Sequence, residues 1–182
     1  SFGPIPLANN LLNSQDEFAK EFPLELFFCG DCSNLQLNMA INPDLLFKDY
    51  LYTSSTSQLF VKHFEKFAQQ LVKEEQLNKN SLVVDIGSND GVFLKPLNLN
   101  SIRAIGVEPA KNLSEYSNSQ GLETINSYFE EETVTKIIRD YGKADIITAF
   151  NVFAHGDGLR EIVLNAFNLL TEEGIFILEV QC

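Results

Sequence analysis

At 182 residues, 45% of them hydrophobic and 15 of them phenylalanine, the chain can bury one sizeable core. No stretch approaches the ~20 uninterrupted apolar residues of a membrane span. The 25 acidic residues outnumber the 13 basic ones for a net charge of −12, and the bases are scattered. A nucleic-acid partner is therefore not expected, because phosphate binding needs a basic stripe or patch.

Residues 1 to about 56 hold Pro4, Pro6, Pro23 and Pro43, the close pair Cys29 and Cys32, and only short apolar runs. That texture predicts a small irregular subdomain of loops, turns and short strands. The opening SFGPIPLANN has neither the basic nor the apolar region of a signal peptide. Three cysteines, an odd number, argue against a disulfide framework. The expected compartment is the cytoplasm.

From residue 57 onward the pattern alternates regularly. Phe60, Phe64, Phe67 and Leu71 share one face of a predicted helix, with Ser57 as its N-cap. LVVDIG (82–87) reads as a buried parallel strand, and VFLKPL can open a short helix before Pro96. AIGVEP (104–109) is a second strand, AKNLSEYSNSQ a helix ending at Gly121, and a third short strand falls at about 123–126. EEETVTKIIRDYG is a helix with acids in its first turn, where the helix dipole favours them. ADIITAFNVFAH is a strand running into a loop, LREIVLNAFNLL a helix and GIFILEVQ a fifth strand. Strand–helix alternation of this kind predicts an α/β fold with a doubly wound, Rossmann-like parallel sheet over residues 57–182.

DIGSNDG (85–91) follows the first of these strands. Asp90-Gly91 is a hairpin dipeptide, but a hairpin needs a partner strand directly afterwards, and VFLKPL is too short and meets a proline. The alternative is a strand–loop–helix turn that holds a ligand. Dinucleotide loops read G-x-G-x-x-G, whereas Gly87 is followed by Ser88, Asn89 and Asp90 before Gly91. A side chain at the middle position leaves less room for a pyrophosphate. Asp85 would repel phosphate but suits a cationic amino-acid ligand, which points to S-adenosylmethionine rather than NAD. Glu108 stands 23 residues after Asp85, at the end of the next strand, where a carboxylate accepts both ribose hydroxyls. Asn151 to His155 follow the fourth strand and face the same crevice. His63, on the first helix, reads as a polar-face residue rather than a ligand.

Together, GPIPLAN, FPLELFFCGDCSNLQL, LFKDYLYTSSTS, VVDIGSNDGVFL, GVEPAKNL, ADIITAFNVFAH and GIFILEVQ resemble the class I S-adenosylmethionine-dependent C-methyltransferases that act on nucleotide-linked deoxysugars. The resemblance spans essentially the whole chain. It implies a Rossmann-like methyltransferase sheet, incomplete here by two strands, preceded by part of a zinc domain. That domain carries two Cys-x-x-Cys pairs in the family; Cys29 and Cys32 match the second, and a closed zinc site needs four ligands, so bound zinc is a doubtful expectation. Cys182 stands where the family has an aromatic residue.

The resemblance further implies C3 methylation of a 4-keto-6-deoxysugar through an enolate, with the base in a histidine motif that the family carries after EVQ. The chain therefore reads as a fragment, with a sheet edge open to a partner such as a second copy. His155 matches a family histidine near the sugar, and Tyr50 and Tyr52 match a tyrosine pair near the reacting centre. Cofactor contacts are implied at Asp85, Gly87, Ser88, Asn89 and Gly91, at Glu108 and Pro109, and at Asn151, Val152 and Phe153. Two other readings stay open: a non-catalytic S-adenosylmethionine-binding module and a nicotinamide-dependent oxidoreductase.

Overall fold

The computed structural model describes residues 1–12, 14–156 and 158–180; Cys182 lies outside them. The chain divides into two compact units, Ser1–Leu51 and Tyr52–Cys182. In the first, β1 (Pro4–Pro6) pairs antiparallel with β2 (Glu21–Pro23), and β3 (Leu26–Phe28) with β4 (Leu35–Leu37). Both ladders are two-stranded, so every strand is an edge. Edges are where proline, lacking an N–H, is tolerated, and Pro4 lies opposite Pro23. One short helix, α1 (Asp44–Phe47), follows.

The second unit begins with a 3-10 turn at Ser54–Thr56 and the helix α2 (Gln58–Glu74). The Ser57 hydroxyl caps α2 by accepting from the Phe60 N–H, as its sequence position predicts. There follow β5 (Leu82–Ile86), α3 (Leu94–Leu99), β6 (Arg103–Val107), α4 (Lys111–Ser119), β7 (Thr124–Ile125), α5 (Glu131–Tyr141), β8 (Ala144–Phe150), α6 (Leu159–Leu169) and β9 (Leu170–Glu179). Pro96 sits inside α3 rather than ending what precedes it. In the first turn of a helix its missing N–H has no partner to lose.

The strands form one parallel sheet in the order β7-β6-β5-β8-β9. The central strand β5 is buried along its whole length, which is why LVVDI shows no polar alternation outside Asp85. Successive side chains of β5 feed opposite faces. Leu82, Val84 and Ile86 join Val134 and Ile137 of α5 and Ala166 and Leu169 of α6 in one cluster. Val83 joins Phe64, Ala68 and Leu71 of α2 and Phe93, Leu94 and Leu97 in the other. Helices therefore cover both faces, the doubly wound arrangement predicted from the alternation.

The second cluster is unusually aromatic. The Phe150 ring meets Phe64 at 4.9 Å, Phe93 at 5.0 Å and Phe67 at 5.5 Å between centroids, each edge to face, the geometry the ring quadrupoles favour. Phe93 directly follows the glycine loop and Phe150 ends β8. The cluster thus fixes both rims of the crevice from below.

Candidate functional site

Strand order reverses between β5 and β8, because β5 leads on to β6 on one side while β8 lies on the other. Ligands of open α/β sheets bind outside the strand ends at such a switch point. Two loops meet there. Gly87, just past β5, has φ +66°, and a Cβ built on it would stand 2.3 Å from Val152 Cγ2, just past β8. Gly91 has φ +80°, and its Cβ would strike Ser117 Oγ and Leu122 Cδ1, both at 2.6 Å. The glycines are therefore demanded by positive φ and by the protein's own side chains, not by the close approach of a ligand alone.

Asn89 occupies the middle position of the loop at φ 51°, a left-handed conformation that asparagine tolerates better than most residues. Its backbone N–H donates to Glu108 Oε2 at 2.8 Å. Its side chain accepts from the Ser54 N–H at 2.9 Å and donates to the Tyr52 carbonyl at 3.0 Å. The Ser55 N–H donates to Asp90 Oδ2 at 3.0 Å. The segment 52–55 is thus strapped to the loop by three hydrogen bonds. This explains why the second unit starts at Tyr52, several residues ahead of the break at about 56 expected from texture.

Three acids gather at the crevice. Asp85, on β5, is buried and accepts from the Thr148 hydroxyl of β8 at 2.7 Å. Burial pushes its carboxyl up to about 7; the Thr148 bond lowers it and the charge of Glu108 raises it further. Glu108 follows β6 and is also buried. Burial raises its pKa, while N–H bonds from Ala110 and Asn89 lower it; Ala110 N donates to Oε1 at 2.8 Å. Asp90 is the third, 4% exposed.

The Asp85 titration gives a testable pH dependence. Its carboxyl ionises near 3.8 ordinarily and near 7 when folded, so between those values the native state holds a proton that the unfolded state has released. Its contribution to stability is full below about pH 4, falls as pH rises, and is gone above about 7. Asp85→Asn is expected to remove a proton-linkage slope approaching one proton between these limits. Chemical denaturation of both proteins across pH 4.5–7.5 checks this; parallel curves would refute it.

The other residues named from sequence fall as follows. Ser88 is 2% exposed, its hydroxyl buried against Gly106. Pro109 accepts through its carbonyl from Asn126 Nδ2 at 2.9 Å, and the Glu108 carbonyl accepts from the same group at 2.9 Å. Asn151 is a second left-handed asparagine, φ 57°, and Phe153 opens a 3-10 turn that ends in the exposed His155. Tyr52 is 43% exposed beside the loop. Tyr50 belongs to the N-terminal unit, its ring 6.0 Å from Phe47. His63 is exposed and pairs with Glu179 at 2.8 Å. Sequence reasoning missed Thr148, Asn126, the strap and Asp90, which entered only as half of a turn signal. An open groove of about 780 Å³ between Ile125 and Arg139 is lined by none of the candidate site residues.

In the N-terminal unit, Cys29 and Cys32 flank a tight turn and are not bonded to each other. Backbone N–H groups of Cys32 and Asp31 lower the Cys29 thiol pKa. Two sulfurs do not close a tetrahedral zinc site, and among the described residues no group of three or more metal-ligating side chains exists. The donors among the described residues do not fit structural zinc. No helix among the described residues is long and apolar enough to cross a membrane.

A family profile described as "Methyltransferase domain" matches residues 58–182, the part of the chain that builds this crevice. The chain belongs to that methyltransferase-domain family. It is 35% identical over 182 residues to C-methyltransferase NovU of Streptomyces niveus, a match covering 99% of this chain and 43% of that protein. The chain thus spans less than half the length of this curated relative. Among solved structures, an S-adenosylmethionine-dependent methyltransferase of Clostridium acetobutylicum aligns with a TM-score of 0.50 at 18% identity, over 66% of this chain and 50% of that one. Coclaurine N-methyltransferase, bound to N-methylheliamine and S-adenosylhomocysteine, aligns with a TM-score of 0.50 at 14% identity, over 70% and 38%. These structural likenesses establish the methyltransferase domain's fold as that of the class I, Rossmann-like enzymes.

Proposed function

We propose that the chain is the S-adenosylmethionine-binding part of a C-methyltransferase acting on a nucleotide-linked 4-keto-6-deoxysugar. The observation that carries the cofactor reading is the junction of Glu108 with the glycine loop. One buried carboxylate fastens both the loop and the start of α4, at the mouth of the strand reversal. Carboxylate oxygens each offer two acceptor sites, so Glu108 can receive ribose hydroxyls without losing its backbone partners. Asp85, Gly87, Ser88, Asn89 and Gly91 form the cradle on one side, with Pro109 beside the ribose and Asn151, Val152 and Phe153 facing it from β8.

The carbon-methylation reading is supported by the identity to a named C-methyltransferase and by the sequence segments that resemble the sugar-modifying group. S-adenosylmethionine supplies an electrophilic methyl on sulfur. On the acceptor side, the Tyr52 backbone is held by its carbonyl at Asn89. His155 lies on the β8 side; Tyr50 completes the tyrosine pair matched in sequence. An α-carbon beside a ketone becomes nucleophilic once a base takes up its proton, and Tyr52 and His155 are the groups of the second unit assigned to orienting the ketone.

Calorimetric titration with S-adenosylhomocysteine is expected to give saturable one-to-one binding in the micromolar range. A folded sample that produces no heat at high micromolar ligand would refute the cofactor assignment. Enhanced NADH fluorescence on addition of the same protein would favour the oxidoreductase reading instead.

A further inference from the structure

We infer that Glu179, backed by His63, is a positioning residue that holds Asn151 in the conformation the cofactor meets; this rests on the cofactor reading above. Asn151 follows the end of β8 with φ 57°, a left-handed backbone that costs an L residue free energy. Its N–H donates to the Glu179 carbonyl at 2.7 Å, and its Nδ2 donates to Glu179 Oε1 at 3.5 Å. The other carboxylate oxygen, Oε2, meets His63 Nε2 at 2.8 Å. An ionised carboxylate only accepts, so Nε2 carries the hydrogen and the ring donates. Glu179 therefore joins α2 to the loop after β8, one oxygen to each.

The backbone bond continues the β8-β9 ladder, whose last pair is Phe150 with Glu179, and any residue at 179 would supply it. The side chain adds what the ladder does not, a tie to an element outside the sheet. The His63 ring lies 6.4 Å from Phe67, nearly parallel at 18°, and 5.2 Å from Phe64. Those two rings pack on Phe150, so α2 grips the end of β8 twice, through the aromatic cluster and through the carboxylate. Beyond Asn151, Val152 Cγ2 stands 2.3 Å from where a Cβ on Gly87 would lie. Movement of Asn151 therefore carries its chain neighbour off the glycine loop. The side chains of the pair are 45% and 37% exposed, and an ion pair so exposed adds little to global stability. Its effect is local. It sets how often the loop holds the binding-competent form, and the observed dissociation constant rises by the inverse of that fraction.

The test is calorimetric titration of S-adenosylhomocysteine into variants of the 182-residue chain. Glu179→Ala is expected to weaken binding about fivefold, the scale a half-exposed pair supports. Glu179→Gln keeps an oxygen for Asn151 Nδ2 and an NH₂ for the neutral tautomer of His63, so it should bind within about twofold of wild type. Equal weakening by alanine and glutamine would make the charge, not the tie, the active feature and overturn the inference. Asn151→Gly keeps the left-handed turn but removes Nδ2; in that background Glu179→Ala should add less than about twofold. A full additional loss would show that Glu179 acts by another route. If the wild type does not bind S-adenosylhomocysteine, the cofactor reading falls and this inference with it; if wild type and Glu179→Ala bind alike, the inference alone falls. His63→Ala, at an exposed position, guards against a Glu179 variant that folds poorly. In it the Asn151 side-chain NH₂ resonances should move even without ligand, and resonances that stay in place would refute the coupling.

Discussion

Replacing Gly87 with alanine is expected to destabilise the protein by about 2–5 kcal/mol and to weaken cofactor binding with it. Two independent terms add. At φ +66° an L side chain costs about 1–2 kcal/mol. The new methyl would also stand 2.3 Å from Val152 Cγ2, far inside contact distance, and relieving such overpacking costs about 1–3 kcal/mol. Gly121 separates the terms. It has φ +76° and nothing within 4 Å of its virtual Cβ, so Gly121→Ala should show the conformational cost alone. Urea denaturation of both variants decides it. If Gly87→Ala loses no more than Gly121→Ala, Val152 yields freely and the two loops are not locked together.

Phe93→Ala is the second large effect, about 3–5 kcal/mol for emptying a buried aromatic site. The ring is 1% exposed and touches Phe64 and Phe67 of α2 and Phe150 of β8, so two elements lose a common partner. Because Phe93 follows Gly91 by two residues and Phe150 precedes Asn151, the cavity opens directly beneath the crevice. The cluster should therefore couple to binding: Phe93→Leu, which refills most of the volume, is expected to recover much of the stability. Denaturation midpoints at constant m-value measure this. A loss below about 1 kcal/mol for Phe93→Ala would show that the cluster collapses around the gap.

Much of this was legible in the residues. The helical spacing of Phe60, Phe64, Phe67 and Leu71, the unbroken LVVDI and the repeated strand–helix order dictate local structure by side-chain periodicity alone. The doubly wound fold follows from them, since parallel strands need crossovers on both faces. The glycine loop and Glu108 were also visible, because their spacing reflects a fixed number of residues between two strand ends. Pro96 shows the limit of such reading: whether a proline ends a helix or sits in its first turn depends on a boundary that one residue can move.

What sequence order alone could not supply is proximity between residues distant in the chain. Ser54 and Ser55 lie 35 residues before the loop side chains that hold them, and Thr148 lies 63 after Asp85. No periodicity links such pairs; the parallel register of β5 with β8 and the docking of the strap do. Burial is likewise a property of the packed sheet, and it decides which acids hold protons. The residues by themselves determined the alternation, the loop and the family resemblance. Only the tertiary structure decided that Gly87 is locked by Val152, that Asn89 is a clasp rather than a poor glycine, and that Glu179 joins His63 to Asn151.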